Sequence, residues 1–178
     1  MPLYFIALLP PEELLEEIKH LKEEIKQRFG PKHALKLPAH ITLQIPFHKP
    51  KEQEPILEES LLNFSRNEEE IEVDIDGYAA FMPRVLYLHI KEPQPIIELH
   101  ERLQEMLVNN IGLQEKEQVK RLHPHITLAT RDIKKEVFKA LWKEFKELDF
   151  KAGFVAEELL VFRHDGKVWE QWRKFKLG

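Results

Sequence analysis

Two identical tetrapeptides carry the side chains in this sequence that are best suited to acid–base chemistry. The segments His40–Leu43 and His125–Leu128 both read His-Ile-Thr-Leu, and they are separated by about half of the 178 residues. The chain contains only three threonines, and two of them stand two residues after a histidine in these segments. The repetition of His-x-Thr favours a chemical function over a packing role.

The order of side chains in each segment predicts that the histidine and the threonine lie on one face of a β-strand. On a β-strand, residues i and i+2 point to the same face, so His40 lies beside Thr42 and His125 beside Thr127. Two imidazoles with an ordinary pKa near 6.5 can supply a general base and a general acid at neutral pH. Two hydroxyls can donate hydrogen bonds to phosphate oxygens as charge builds up. The pattern predicts metal-independent cleavage of a phosphodiester such as a ribose 2′,3′-cyclic phosphate.

Two further polar side chains are candidate substrate contacts. Gln44 has the strand parity of the first His-x-Thr pair, so it is expected to contact a base or a sugar. Arg131 has the parity of the second pair if that strand continues so far. It is expected either to contact phosphate or to form an ion pair with Asp132 or Glu136.

A metal site is the main alternative for one of these segments, because His123-Pro124-His125 contains two histidines in a metal-binding pattern. The nearest acidic residues are Glu117 and Asp132, and the chain has no cysteine. Neither a carboxylate cluster nor a set of thiolates therefore accompanies the pair. We predict neither a metal nor a cofactor.

The charge distribution singles out the same two regions. The formal net charge is −4, which argues against non-specific coating of nucleic acid. Nevertheless the windows Gly30–Lys51 and Gln118–Arg131, which contain the two segments, hold seven of the 27 basic residues and none of the 31 acidic ones. A positive site on a negative body favours a small anionic ligand.

The hydrophobic pattern predicts the elements that must position the two segments. Strands are expected over Leu3–Leu9, His40–Phe47, Ile71–Asp76, Arg84–Lys91, His123–Thr130, Phe154–Arg163 and Lys167–Leu177. Helices are expected over Pro11–Phe29, Glu52–Phe64, Pro95–Ile111 and Ile133–Leu148. Asp165-Gly166 predicts a hairpin between the last two strands.

These elements form a coarse internal repeat. Each half has a helix, a basic loop, a His-Ile-Thr-Leu strand, a second helix and further strands. Duplicated halves often face each other across a pseudo-twofold axis, which would bring the two segments into one cleft. We therefore expect residues 1–178 to form a single α+β domain with two pseudo-symmetric lobes, each carrying one His-x-Thr motif.

The paired motifs resemble the signature of the 2H phosphoesterase superfamily, which includes the RNA 2′,3′-cyclic phosphodiesterases, also called 2′–5′ RNA ligases. The similarity extends to the opening strand and helix, the segment Phe81–Leu88 and the closing hairpin. The resemblance implies a two-lobed α+β fold with antiparallel sheets lining a central cleft. It implies that His40 and His125 are the acid and base, that Thr42 and Thr127 contact phosphate, and that no metal takes part.

The expected function is that of a phosphodiesterase acting on a small phosphodiester or an RNA end. The alternative is a non-catalytic module of the same fold that binds a nucleotide or phosphate. The apolar run over residues 1–9 is shorter than the roughly 20 residues of a membrane span and lacks the features of a signal peptide. Together with the absence of cysteine, this favours a cytoplasmic protein, and we expect a monomer without membrane partners.

Overall fold

Four helices and eight strands follow the predicted order closely, and the computed structural model describes all residues from Met1 to Gly178. The helices are α1 (Glu12–Phe29), α2 (Glu54–Arg66), α3 (Gln94–Met106) and α4 (Lys135–Phe145). The strands are β1 (Leu3–Leu8), β2 (Ile41–His48), β3 (Ile71–Phe81), β4 (Val85–Ile90), β5 (His125–Ala129), β6 (Lys151–Ala156), β7 (Glu158–His164) and β8 (Trp169–Lys176).

The eight strands form one curled antiparallel sheet in the order β6-β3-β4-β5-β2-β1-β7-β8. The motif strands β2 and β5 are neighbours at its centre, and the single residue pair Ile41 and Ile126 joins them. On either side of this pair the ladders are long, so the sheet consists of two four-stranded halves that meet along a narrow seam. The predicted α+β fold with antiparallel sheets lining a cleft is confirmed.

The connection between β6 and β7 differs from the prediction. A single strand was expected over Phe154–Arg163, but Glu157 separates two strands that pair in opposite halves of the sheet. β6 pairs with β3, and β7 pairs with β1. No glycine or proline marks the junction, so the chain crosses from one half to the other without a turn signal in the sequence.

The main core lies between the helices and one face of the sheet. Leu14, Ile18 and Ile25 of α1 belong to a cluster of 36 buried apolar residues. α1 packs against β5, α3 against β2 and α2 against β8. A second cluster of four residues, containing Phe5 and Phe162, lies on the opposite face. None of the helices combines the length and the apolar composition that a membrane span requires.

Candidate active site

The seam between β2 and β5 brings the two His-x-Thr motifs together. Ile41 and Ile126 pair across the seam, and both are fully buried in the main core. By the same register, His40 stands opposite Thr127 and Thr42 stands opposite His125, on the other face of the sheet. His40 and His125 are therefore diagonal neighbours across the seam. In a regular antiparallel pair, diagonal neighbours lie roughly 7–8 Å apart. One phosphate group is small enough to lie between two imidazoles at that separation.

The two histidines are held by matching hydrogen bonds. His40 Nδ1 lies 2.8 Å from the Pro38 carbonyl oxygen, and His125 Nδ1 lies 2.6 Å from the His123 carbonyl oxygen. A carbonyl oxygen can only accept, so each Nδ1 carries the hydrogen and donates it. The tautomer that follows leaves Nε2 of each neutral imidazole as the nitrogen that can accept a proton from the cleft.

Both imidazoles are easier to deprotonate than a free histidine. Burial lowers the pKa of His40 to about 4, against the hydrogen bond to Pro38, which raises it, and the charges of Lys22 and His125 lower it further. Burial also lowers the pKa of His125, and the charge of His123 adds to that effect. In the unliganded protein both imidazoles are therefore neutral at pH 7. A bound anion would raise their pKa values and allow one of them to take up a proton.

Each of these two imidazoles lies against two aromatic rings from the strands further out in its half of the sheet. On one side, the His40 ring centroid is 5.4 Å from that of Phe5 and 6.4 Å from that of Phe162. On the other, the His125 ring centroid is 5.2 Å from that of Phe81 and 5.1 Å from that of Tyr87. The rings cover part of each imidazole and so contribute to the burial that lowers both pKa values.

These four aromatic residues were missed as site residues in the sequence. Phe5 and Phe162 alternate with residues of the main core, and that parity could have indicated the cleft face. Tyr87 pairs with Thr127 across the ladder between β4 and β5, so it also faces the cleft. The alternation was visible in the sequence, but the sequence did not show which strands lie next to β2 and β5.

The structure does not place Gln44 with the other site residues. Thr42 pairs with Ala7 on the cleft face, but Gln44 pairs with Ile6 on the core face because β2 is bulged between them. Gln44 is fully buried, and its Nε2 donates to the Glu117 carbonyl oxygen at 2.7 Å. The expectation of a substrate contact assumed strict alternation, which the extra residue of the bulge interrupts.

Arg131 lies beyond the end of β5, in a cationic pocket. Its backbone is in the left-handed region, with φ of 63°, and it is exposed. Together with Arg84 and Lys135 it lines a cavity of about 580 Å³ between the β3–β4 turn and the start of α4. The predicted alternative of an ion pair with Asp132 does not form, because that carboxylate accepts backbone hydrogen bonds from another loop.

A larger cavity of about 880 Å³ opens beside His40. Phe162 and Trp169 line it from the sheet, Pro38 lines it from the loop before β2, and Lys19 and Lys36 add positive charge at its wall. It has aromatic surface for a flat ring, and its four lysines are matched by the carboxylates of Glu12, Glu16, Glu157 and Glu158. The cavity past the end of the His125 strand, around Arg131, is smaller and has a different lining, so the surroundings of the two matched motifs are asymmetric.

Metal ligands do not converge in this cleft. His123 lies next to His125, with ring centroids 6.2 Å apart, but its Nε2 is 3.3 Å from the Tyr87 hydroxyl. No group of three or more His, Cys, Asp or Glu side chains in the structure is arranged to hold a metal ion. The His123 side chain instead forms part of the wall around His125.

Comparison with known proteins gives consistent results. The model of the 2′-5′ RNA ligase superfamily matches residues 10–168. A protein of Geobacillus kaustophilus that carries the name phosphoesterase is 25% identical over 178 residues, which covers 98% of this chain and 96% of that protein.

Solved structures resemble the whole chain. The crystal structure of TT0787 of Thermus thermophilus has a TM-score of 0.75 and 22% identity, covering 99% of this chain and 98% of that one. E. coli LigT in complex with 3′-AMP has a TM-score of 0.72 and 20% identity, covering 99% of both chains. The fold described above is therefore shared with these proteins over their full lengths.

Proposed function

Because this chain belongs to the 2′-5′ RNA ligase superfamily, which supports a phosphodiesterase type of function, we propose a specific reaction for it. The protein hydrolyses a 2′,3′-cyclic phosphate, or a related phosphodiester of RNA or a nucleotide, without a metal and with two histidines as acid and base. The observation that carries this proposal is the matched pair of Nδ1 hydrogen bonds, which leaves Nε2 of each imidazole available for proton transfer on two strands that pair at the seam.

The proposed hydrolysis needs one neutral and one protonated imidazole. The neutral Nε2 removes a proton from water as the water oxygen bonds to phosphorus. The bond from phosphorus to one ribose oxygen breaks, and the protonated Nε2 of the other imidazole gives that oxygen its proton. Thr42 and Thr127 donate hydrogen bonds to the non-bridging oxygens, whose negative charge grows in the transition state. A proton exchanged with solvent restores the starting state.

The depressed pKa values make the anionic substrate part of the mechanism. Both imidazoles are neutral before binding, since burial lowers the pKa of each. A phosphodiester anion placed between them favours a protonated imidazole. The substrate thus recruits the proton that its own leaving oxygen later receives, and a neutral ligand would not charge the acid.

The surroundings support a nucleotide as the substrate. E. coli LigT has crystal structures in complex with 3′-AMP, ATP and phosphate. In this chain the cavity beside His40 offers Phe162 and Trp169 to a base, and the pocket around Arg131 offers positive charge to a second phosphate. We propose that Arg131 binds a phosphate that flanks the scissile one. We also propose that the protein works as a monomer in the cytoplasm, whose reducing environment suits a chain without cysteine.

The test is hydrolysis of 2′,3′-cyclic AMP and of a short RNA ending in a 2′,3′-cyclic phosphate, with EDTA present. His40→Gln and His125→Gln are each expected to lower kcat by on the order of 10²-fold or more, because each removes one proton-transfer group. His20→Gln, an exposed change on α1, is the matched control. Chromatography of the products shows which ester bond is cleaved.

Two results would contradict the proposal. Equal turnover by the wild type and by His40→Gln would exclude the proposed role of His40 as a proton-transfer group. Absence of turnover by the wild type on both substrates would also overturn it. If phosphate or 3′-AMP then still raised the thermal midpoint, the chain would be a non-catalytic nucleotide-binding module.

A further inference from the structure

Lys22 is the one buried cation of this protein. It lies on α1 with 4% of its surface exposed, and no other lysine or arginine is buried. Its ammonium group makes no ion pair; its Nζ donates to the Ala34 carbonyl oxygen at 2.9 Å and lies 3.3 Å from that of Leu37. Burying an ammonium without a carboxylate is unfavourable, so a purely structural role would be served better by an apolar side chain.

The carbonyl groups that Lys22 holds belong to the segment that leads into the first motif. This segment, residues 33–39, begins with a 3₁₀ turn over His33–Lys36 and ends directly before His40. Leu37 precedes Pro38, whose carbonyl oxygen accepts the Nδ1 hydrogen of His40. The ammonium therefore fixes the peptide next to the one that selects the His40 tautomer.

The two motifs differ in the charge that faces them. Lys22 from α1 and His125 from β5 are the charged or titratable groups that lower the pKa of His40. The residues that contact His40 from β1 and β7 are Phe5 and Phe162, which carry no charge. No lysine contributes to the lowered pKa of His125. Lys22 is thus a source of asymmetry between two imidazoles that the motifs make equivalent.

We propose that Lys22 is a positioning residue for His40, which holds the segment before it and directs the single proton shared by the two imidazoles onto His125. His40 is then the general base and His125 the general acid. This assignment rests on the function proposed above, whereas the effect of Lys22 on His40 does not. Burial lowers the pKa of Lys22 to about 8, so the ammonium is predominantly charged at neutral pH.

The experiment combines NMR titration of the imidazole C–H resonances in the unliganded protein with pH profiles of kcat and KM for 2′,3′-cyclic AMP. Lys22→Met is expected to raise the titration midpoint of His40 by about one pH unit, because it removes a like charge. The displaced segment is expected to lower kcat by about tenfold with little change in KM. Lys26→Met, an exposed change one turn along α1, is the control and leaves both unchanged.

Lys22→Arg separates charge from packing. It keeps the positive charge and the ability to donate to carbonyl groups, so the His40 midpoint should stay within a few tenths of a pH unit of the wild type. If Lys22→Met and Lys22→Arg shift the midpoint equally, the charge has no role and the proposal is overturned. It is also overturned if Lys22→Met titrates like the wild type.

A measurement on the wild type keeps the proposal testable even if Lys22→Met does not fold. The His40 resonance should show a second, smaller inflection near pH 8, where Lys22 loses its proton, and the His125 resonance should not. Absence of that inflection would overturn the proposal. If the inflection is present but the wild type turns over no substrate, the proposed function fails and the coupling of Lys22 to His40 is supported.

Discussion

The burial that lowers the pKa values of His40 and His125 destabilises the folded protein at acid pH. In the unfolded chain a histidine has its ordinary pKa near 6.5, whereas in the folded protein the pKa of His40 is about 4. Between these values the unfolded state binds more protons, so the free energy of unfolding falls as the pH falls. The lowered pKa of His125 acts in the same direction.

We therefore predict an acid-sensitive fold. From pH 6.5 to pH 4, His40 alone should reduce the free energy of unfolding by up to about 3 kcal/mol. Urea denaturation across that range measures the loss. The double variant His40→Gln/His125→Gln should flatten the profile, and it should be more stable than the wild type at pH 4. Parallel profiles for both proteins would show that other groups cause the acid sensitivity.

Among the elements, β2 shows where the strict alternation of side chains between the two faces of a strand stops predicting their positions. The faces of His40 to Leu43 could be predicted because the His-Ile-Thr-Leu pattern is strictly alternating. Beyond Leu43 the prediction failed at Gln44, since an extra residue in the strand puts Leu43 and Gln44 on the same, buried face. A bulge depends on the pairing of β2 with β1, and that pairing cannot be predicted from the residues of β2 alone.

The β6–β7 junction illustrates a second limit. The side chains from Phe154 to Arg163 have the apolar content of a strand, so strand structure was predictable there. The change of partner at Glu157 was not, because which strand pairs with which is decided by the curl of the whole sheet. The hairpin at Asp165-Gly166 was predictable: Gly166 has φ of 102°, which few other residues tolerate.

Asp132 links the two motif-bearing segments of the chain. It follows β5, yet its carboxylate accepts hydrogen bonds from the backbone N–H groups of Lys32 and His33, at the start of the segment that Lys22 holds. Although burial raises it, the pKa of Asp132 is lowered overall by these N–H groups. The loop after one motif thus anchors the loop before the other.

We predict that Asp132→Ala lowers the free energy of unfolding by about 1 kcal/mol at pH 7 and kcat by several-fold. The stability that Asp132 contributes is present above its unfolded pKa near 3.9 and is lost as the pH falls through its folded value, so the variant and the wild type should converge at low pH. Urea titrations at both pH values provide the measurement. Asp149→Ala, an exposed change, is the control. An equal loss of unfolding free energy in that variant would contradict a specific stabilising role for Asp132.

At the scale of the whole molecule, the basic residues around the two motifs are free of acidic neighbours along the chain. The acid-free windows around residues 30–51 and 118–131 supply both motifs and the loops beside them, and the remaining surface carries the negative excess. The cationic pocket around Arg131 lies at the end of one of these windows, so its location could be predicted. Its shape could not, because Arg84 and Lys135 come from other parts of the chain.

Long-range attraction to this region should respond to salt. Screening lengths fall from about 30 Å at 0.01 M to about 3 Å at 1 M salt, so KM for 2′,3′-cyclic AMP should rise several-fold across that range while kcat stays nearly constant. Thermal midpoints across the same series control for effects on folding. A KM that does not depend on salt would contradict a role for the positive windows in binding.

The crossing at Glu157 also dictates the order in which the chain can complete its structure during synthesis. The pairings of β3 with β4 and β6, and of β4 with β5, all lie within residues 71–156. β1 is made before every other strand of the sheet, but it lacks its partner β7 until residue 164 has been made. Until then the nascent chain presents an apolar strand edge, and the half that carries His40 is both the last to close and the one most exposed to association with other chains.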